Sequence, residues 1–157
     1  MTREWTRGEY VISTDPRRLD LATVHAFLAR AYWSVGLPRE VLERAVEHSL
    51  VFGLYSTAGQ VGFARVVTDH ATFAYLADVF VVEEERNVGL GQRLVEAVLA
   101  HPELQGMRRW LLGTRSAQSL YKRCGFAEPP PPFSFLEKLD GEIYQGEDDA
   151  EGERLRA

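Results

Sequence analysis

Six consecutive residues in mid-chain, Arg86-Asn87-Val88-Gly89-Leu90-Gly91, have the makings of an anion site built from backbone. They follow an apolar run, Ala77 to Val82, and precede an amphipathic run, Leu90 to Ala100. The local order is therefore strand, glycine loop, helix. First-turn N–H groups of a helix have no partner within it. The helix dipole adds roughly half a positive charge at that end. Glycine removes the Cβ that would hold a phosphate away from those amides. The spacing predicts a phosphate-bearing ligand on the N-terminus of the 90–100 helix. A triphosphate loop needs Gly-Lys followed by Ser or Thr, whereas Gln92 and Arg93 follow Gly91. A dinucleotide fingerprint needs a third glycine three residues after the second; Leu94 stands there, and the loop comes late in the chain for such a domain.

A second motif lies downstream. Arg109 to Thr114 reads as a strand, Ser116 to Arg123 as a short helix, and Cys124-Gly125-Phe126 follows. An Arg-x-x-Gly-x-Gly loop and a later helix with Ala117, Leu120 and Tyr121 before Gly125-Phe126 resemble the GNAT superfamily of N-acetyltransferases. The run Asp78-Val79-Phe80-Val81-Val82 before the loop is also typical of that family. The resemblance covers the chain from its first strand to about Leu139.

The resemblance implies acetyl-CoA (coenzyme A) as co-substrate and no metal. Its pyrophosphate would lie on the amides of Arg86, Asn87, Val88, Gly89, Leu90 and Gly91. Its pantetheine arm would pair with the backbone of Val81 and Val82 like an added strand. A strand N–H would face the thioester oxygen, a preorganised donor worth about 3 kcal/mol. Thr114, where many relatives carry asparagine, would give the arm one hydrogen bond. Tyr121 is the implied general acid, because a phenol with a pKa of about 10 stays protonated at neutral pH. The implied reaction moves an acetyl group to a primary amine of a small molecule or peptide, by direct attack through a tetrahedral intermediate. An acyl-CoA-binding module with little or no catalysis is the alternative. Homodimers are common in the family, while the sequence leaves the oligomeric state open.

The amine, with a pKa of about 10.4, must lose a proton before it attacks. Asp78 is the only acid in the strand before the loop. Alternation puts it on the face of Phe80 and Val82, opposite Tyr75 and Ala77, where relatives place a base; a bulge would shift that phase. A hydrogen-bonded structural Asp78 and a water chain as base are the competing readings. Glu83 and Asn87 replace a frequent proline and glycine, and Glu83-Glu84-Glu85 is expected to face solvent, since three acids cannot all face phosphates. Tyr32, Trp33, Phe73 and Tyr75 are candidates to line the acceptor site. The histidines lack metal-ligand spacing, and His70 at a turn is the one to test.

These groups need a scaffold, and 157 residues suit one domain. The expected elements are a strand over 9–14, a helix from Asp20 to about Trp33, a helix opened by Pro38, and strands over 50–55, 61–68 and 73–82. The 90–100 helix, the 109–114 strand, the short helix and a final strand near Phe133 to Leu139 complete the order. This is the α/β (α+β) layout of the GNAT fold, a central twisted mixed sheet with helices on both faces. Pro129 to Pro132 cannot donate to a ladder, so the first strand of the family's closing hairpin is expected to be short or missing. The acidic excess lies in the tail: from Asp140 onward acids outnumber bases seven to two, which accounts for the net charge of −5. Residues 140–157 read as a disordered acidic tail beyond a domain spanning 1–139. The neutral body gives no support for nucleic-acid binding. No apolar run could span a bilayer and no leader is visible, so a cytoplasmic location is expected. Cys124, the single cysteine, reads as a packed thiol.

Overall fold

A computed structural model describes residues 1–145. Six strands form one sheet in the order β1 to β6: β1 (Glu4–Arg7), β2 (Tyr10–Ser13), β3 (Leu50–Ser56), β4 (Gly59–Thr68), β5 (Phe73–Val81) and β6 (Arg109–Leu111). Neighbours pair antiparallel up to β5, and β5 pairs parallel with β6. The parallel step needs a crossover, which α3 (Leu90–Ala100) supplies. The sheet is thus mixed, and helices cover both faces. One core joins α3 and α4 (Gln118–Arg123) to the sheet through Leu94, Val98, Phe52 and Leu76. The other sets α1 (Leu21–Leu28) and α2 (Arg39–Glu47) against Val51, Phe63 and Phe80. In α3 the buried residues Leu90, Leu94, Val95, Ala97 and Val98 recur at helical spacing, the pattern that lets one stripe face the sheet.

Three expected elements differ. The strand expected over 9–14 is β2, Tyr10–Ser13, and an additional strand before it, β1, Glu4–Arg7, pairs with it across Gly8-Glu9. The first helix stops at Leu28, not Trp33. Its final carbonyls are taken by other donors: Ser34 Oγ donates to Leu28 O at 2.7 Å, and the N–H of Gly36, in the left-handed region at φ 81°, donates to Ala29 O at 2.9 Å. The strand expected near Phe133 to Leu139 is not formed. The rings of Phe133 and Phe135 meet edge to face at 5.2 Å, and the Arg109 guanidinium lies 5.1 and 5.3 Å from their centres. After the proline run this segment therefore packs by side chains and has no ladder. It walls a cavity of about 420 Å³ with Arg109, Trp110 and Phe126. Beyond Asp140, Tyr144 packs with the α1–α2 core, and a Cβ on Gly36 would lie 2.8 Å from its carbonyl oxygen. Residues 146–157 of the expected acidic tail lie outside the described residues.

Two backbone features of β5 shape the site. It pairs with β6 only over Phe73, Ala74 and Tyr75. Past Tyr75 the strands part, and the β6-facing edge of β5 is left open. A bulge also interrupts its pairing with β4: Phe63 opposes Phe80 and Arg65 opposes Ala77, so Asp78 and Val79 share one partner position. Asp78 takes φ 56°, a conformation that aspartate tolerates better than most residues.

Candidate active site

The loop after β5 holds a row of amides without acceptors. The N–H groups of Asn87, Val88, Gly89, Leu90, Gly91 and Gln92 donate to no group among the described residues, and the first bond of the helix is Arg93 N–H to Gly89 O at 3.1 Å. Asn87 and Gly89 both sit in the left-handed region, at φ 70° and 78°. Asparagine therefore meets the demand that glycine usually meets at that position. Alternating left-handed residues turn successive N–H groups toward one side, the arrangement of an anion nest. Gly89 caps α3 without any side-chain bond, so among the described residues no oxygen competes for these amides.

The open edge of β5 runs into this loop. Val82 N–H donates to Val61 O at 2.8 Å, so Val82 looks toward β4 and its amide is already spent. Alternation then turns the peptide groups of Val79 and Val81 to the open side. Val81 O accepts from Arg86 Nε at 2.9 Å, which leaves the Val81 N–H. Of the expected pair, Val81 alone offers a groove-facing amide. The groove of about 590 Å³ is bounded by Val79, Val81, the loop from Arg86 to Gly91, and Ala117, Leu120 and Tyr121. Gly91 lets the helices close on each other, for a Cβ there would lie 3.2 Å from Leu120 Cδ1.

The acids before the loop divide. Glu83 and Glu84 are exposed, but Glu85 does not face solvent as expected. Its Oε2 accepts from Tyr10 Oη at 2.6 Å, which ties the loop to β2 and moves one carboxylate off the amides. That carboxylate raises the pKa of the Tyr10 phenol through the hydrogen bond.

A second cavity, about 290 Å³, opens beside the groove and shares with it Tyr32, Trp33, Val79, Ser116, Ala117 and Tyr121. Tyr121 stands at the junction. Its hydroxyl bonds to no protein group among the described residues, its ring meets Phe126 edge to face at 6.0 Å, and burial pushes its pKa up to about 12. It is a protonated donor at every physiological pH. Tyr75, Arg65 and Asp78 line the far side of this cavity, while Phe73 does not border it.

Asp78 answers the question of phase. Because of the bulge, Leu76 belongs to the α3 core and Phe80 to the α1–α2 core. Asp78, between them, reaches Arg65 and Trp33. Arg65 Nε donates to Oδ2 at 2.8 Å and Trp33 Nε1 to Oδ1 at 3.0 Å. Both members of the ion pair are largely buried, at 18% and 13% exposure. The carboxylate thus anchors the segment after α1 to the sheet. Sequence patterning could not supply these partners, which lie 13 and 45 residues away.

Two links close the top of the site. Tyr32 Oη accepts from Arg115 N–H at 3.2 Å, and the Arg115 guanidinium lies 3.8 Å from the Tyr32 ring centre. Thr114 Oγ1 accepts from Ala117 N–H at 3.0 Å, which holds the turn that leads into α4 and leaves the hydroxyl its own proton and a second lone pair to offer. His70 takes φ 60° in the β4–β5 turn, outside both cavities. Cys124 packs with the α3 core, and burial raises its thiol pKa. Among the described residues no cluster of His, Cys, Asp and Glu is placed to hold a metal, and no helix is long and apolar enough to cross a membrane.

Comparison with known proteins agrees with this architecture. Residues 47–128, which hold the bulge, the amide loop and Tyr121, match the acetyltransferase (GNAT) domain family. A protein of Gibberella zeae, provisionally named an acetyltransferase, is 32% identical over 142 residues, covering 76% of this chain and 79% of its own. The chloroplastic serotonin N-acetyltransferase 2 of Oryza sativa subsp. japonica is 34% identical over 121 residues, covering 71% of this chain and 58% of its own. A crystal structure from Xanthomonas campestris pv. campestris, assigned to the GNAT family, superposes with a TM-score of 0.84 at 42% identity, covering 90% of this chain and all of the other. Motifs, sheet and relatives converge: the chain belongs to the GNAT acetyltransferases.

Proposed function

We propose that this protein transfers an acetyl group from acetyl-CoA to the primary amine of a compact small molecule or peptide. The row of unpartnered amides from Asn87 to Gln92, set beside the open edge of β5, carries the reading. These are donors without protein acceptors at the positive end of α3, and a diphosphate is the ligand that satisfies several at once. Acetyl-CoA, when bound, supplies the acetyl thioester. The Val81 N–H lies on the edge available to an extended amide-bearing arm.

The remaining chemistry falls to side chains at the junction of the two cavities. Tyr121 holds a proton at Oη, where it can hydrogen-bond a departing sulfur. The bond from Trp33 to Asp78 fixes one side of the amine's cavity. Asp78 already accepts one bond on each oxygen, which favours ordered water as the route by which the amine's proton reaches solvent. The likeness to a relative named for serotonin supports a compact amine as the acceptor class. Thiol release from acetyl-CoA, measured against a panel of small amines and short peptides, tests the reading. Acetylated product from at least one amine is expected. Tight coenzyme A binding without turnover on any amine would instead favour an acyl-CoA-binding module.

A further inference from the structure

The polar groups of the acceptor cavity are one-sided. Among the described residues Asp78 is its only lining carboxylate, and its two oxygens each accept a bond, from Trp33 and from Arg65. Arg65 has capacity to spare. It spends Nε on Asp78 and Nη1 on Ser49 Oγ at 3.2 Å, while Nη2 meets no acceptor among the described residues and is not sealed from solvent. Ser49 is itself held, its Oγ donating to Ala45 O at 2.6 Å. The guanidinium is thus a fixed fork with one arm free. Arg115 adds a second cation at the rim over Tyr32, with no carboxylate partner among the described residues. The phenols of Tyr75 and Tyr121 can donate as well.

An ammonium entering this cavity meets only a carboxylate whose charge Arg65 already balances. A carboxylate finds a preorganised guanidinium, and such charge-assisted bonds are the strong ones. Resting on the acetyltransferase reading above, we infer that the acceptor is a compact amine that also carries a carboxylate, docked on Arg65 with its amine toward Tyr121. The volume of about 290 Å³ lies at the small end of ligand pockets, which suits a compact acceptor such as an amino acid. Trp33 and Tyr75 supply its apolar walls.

Two matched pairs isolate the carboxylate: L-leucine against isopentylamine, and L-phenylalanine against phenethylamine, with L-leucinamide as the uncharged control. Thiol release is measured for each and compared per neutral amine, since the pairs differ in amine basicity. The amino acids should exceed their decarboxylated partners by about tenfold to a hundredfold in kcat/KM, the range of one charged hydrogen bond, with leucinamide near isopentylamine. Arg65→Lys keeps Asp78 paired but loses the fork, and should shrink that ratio; Arg115→Gln should shrink it less. Equal or faster turnover of the plain amines overturns the inference and leaves acetyl transfer standing. A ratio untouched by Arg65→Lys overturns Arg65 as the anchor. Should coenzyme A bind and no member of the panel react, thermal stabilisation of that complex decides: stabilisation by the amino acids alone supports the inference, and its absence overturns it. Failure of coenzyme A to bind overturns the underlying reading too.

Discussion

Replacing Tyr121 with phenylalanine removes one oxygen and one proton from the point where the two cavities meet. The ring keeps its edge contact with Phe126 and its place against the α3 core. The hydroxyl has no protein partner among the described residues, so its loss orphans nothing, and orphaned partners are what make such deletions costly. Unfolding free energy should therefore change by less than about 0.5 kcal/mol. Turnover should respond very differently. A positioned acid contributes about 10²- to 10⁴-fold. Burial holds this phenol at about 12, whereas a thiol ordinarily sits near about 8.5. Complete proton transfer to a thiolate would then be uphill, and a hydrogen bond to the departing sulfur is the larger part of the contribution. The expected loss lies at the low end, about 10²-fold in kcat, or about 2.7 kcal/mol. KM for acetyl-CoA should change by less than about threefold, because the interaction forms in the transition state. Steady-state thiol release on an amine that the wild type accepts, with a thermal melt beside it, makes the measurement. A kcat within twofold of wild type, at unchanged stability, would refute the role assigned to Tyr121.

Other substitutions probe the frame around it. Asp78→Ala leaves the Arg65 guanidinium and the Trp33 N–H without their shared acceptor and should lower unfolding free energy by about 2–4 kcal/mol in urea. Asp78→Asn should recover part of that loss and leave the acid limb of the kcat profile in place; disappearance of that limb would make Asp78 the base. Gly89→Ala forces a Cβ into φ 78°, at about 1–2 kcal/mol, yet no protein atom lies within 4 Å of that Cβ. Coenzyme A affinity, read by calorimetry, should fall at the same time. High pH should unfold the protein from within: burial raises both Tyr55 and Tyr121 to about 12. Their contribution is complete below the ordinary phenol pKa of about 10 and disappears as pH climbs toward the folded value. The melting midpoint should fall over that window, and Tyr55→Phe should flatten the fall.

What was legible in the sequence was local. The order β5, glycine loop, α3, β6 rests on apolar period and on glycines at Gly89 and Gly91, and all of these stand where expected. The helix opened by Pro38 and the β3–β4 hairpin rest on equally local signals. Misreadings arose where distant groups decide. Phe133 and Phe135 alternate as in a strand, but they stack on Arg109 from β6. Glu85 was grouped with two exposed neighbours, yet Tyr10, 75 residues away, claims it. Glu4–Arg7 is short and mostly exposed, so it leaves almost no alternation to read. In the site, Tyr121 and the loop were marked by motif. Arg65 was not, because a lone arginine in an apolar strand reveals neither partner: the bulge in β5 presents Asp78 to it, and the β3–β4 pairing brings Ser49.

The account stands on the amides that open α3. Amide-resolved NMR during titration with coenzyme A addresses them one by one. Large shifts and slowed hydrogen exchange at Asn87, Val88, Gly89, Leu90, Gly91 and Gln92, with little change at the distant β1–β2 hairpin, are the predicted result. Saturable binding of coenzyme A that leaves those resonances where they were would contradict it.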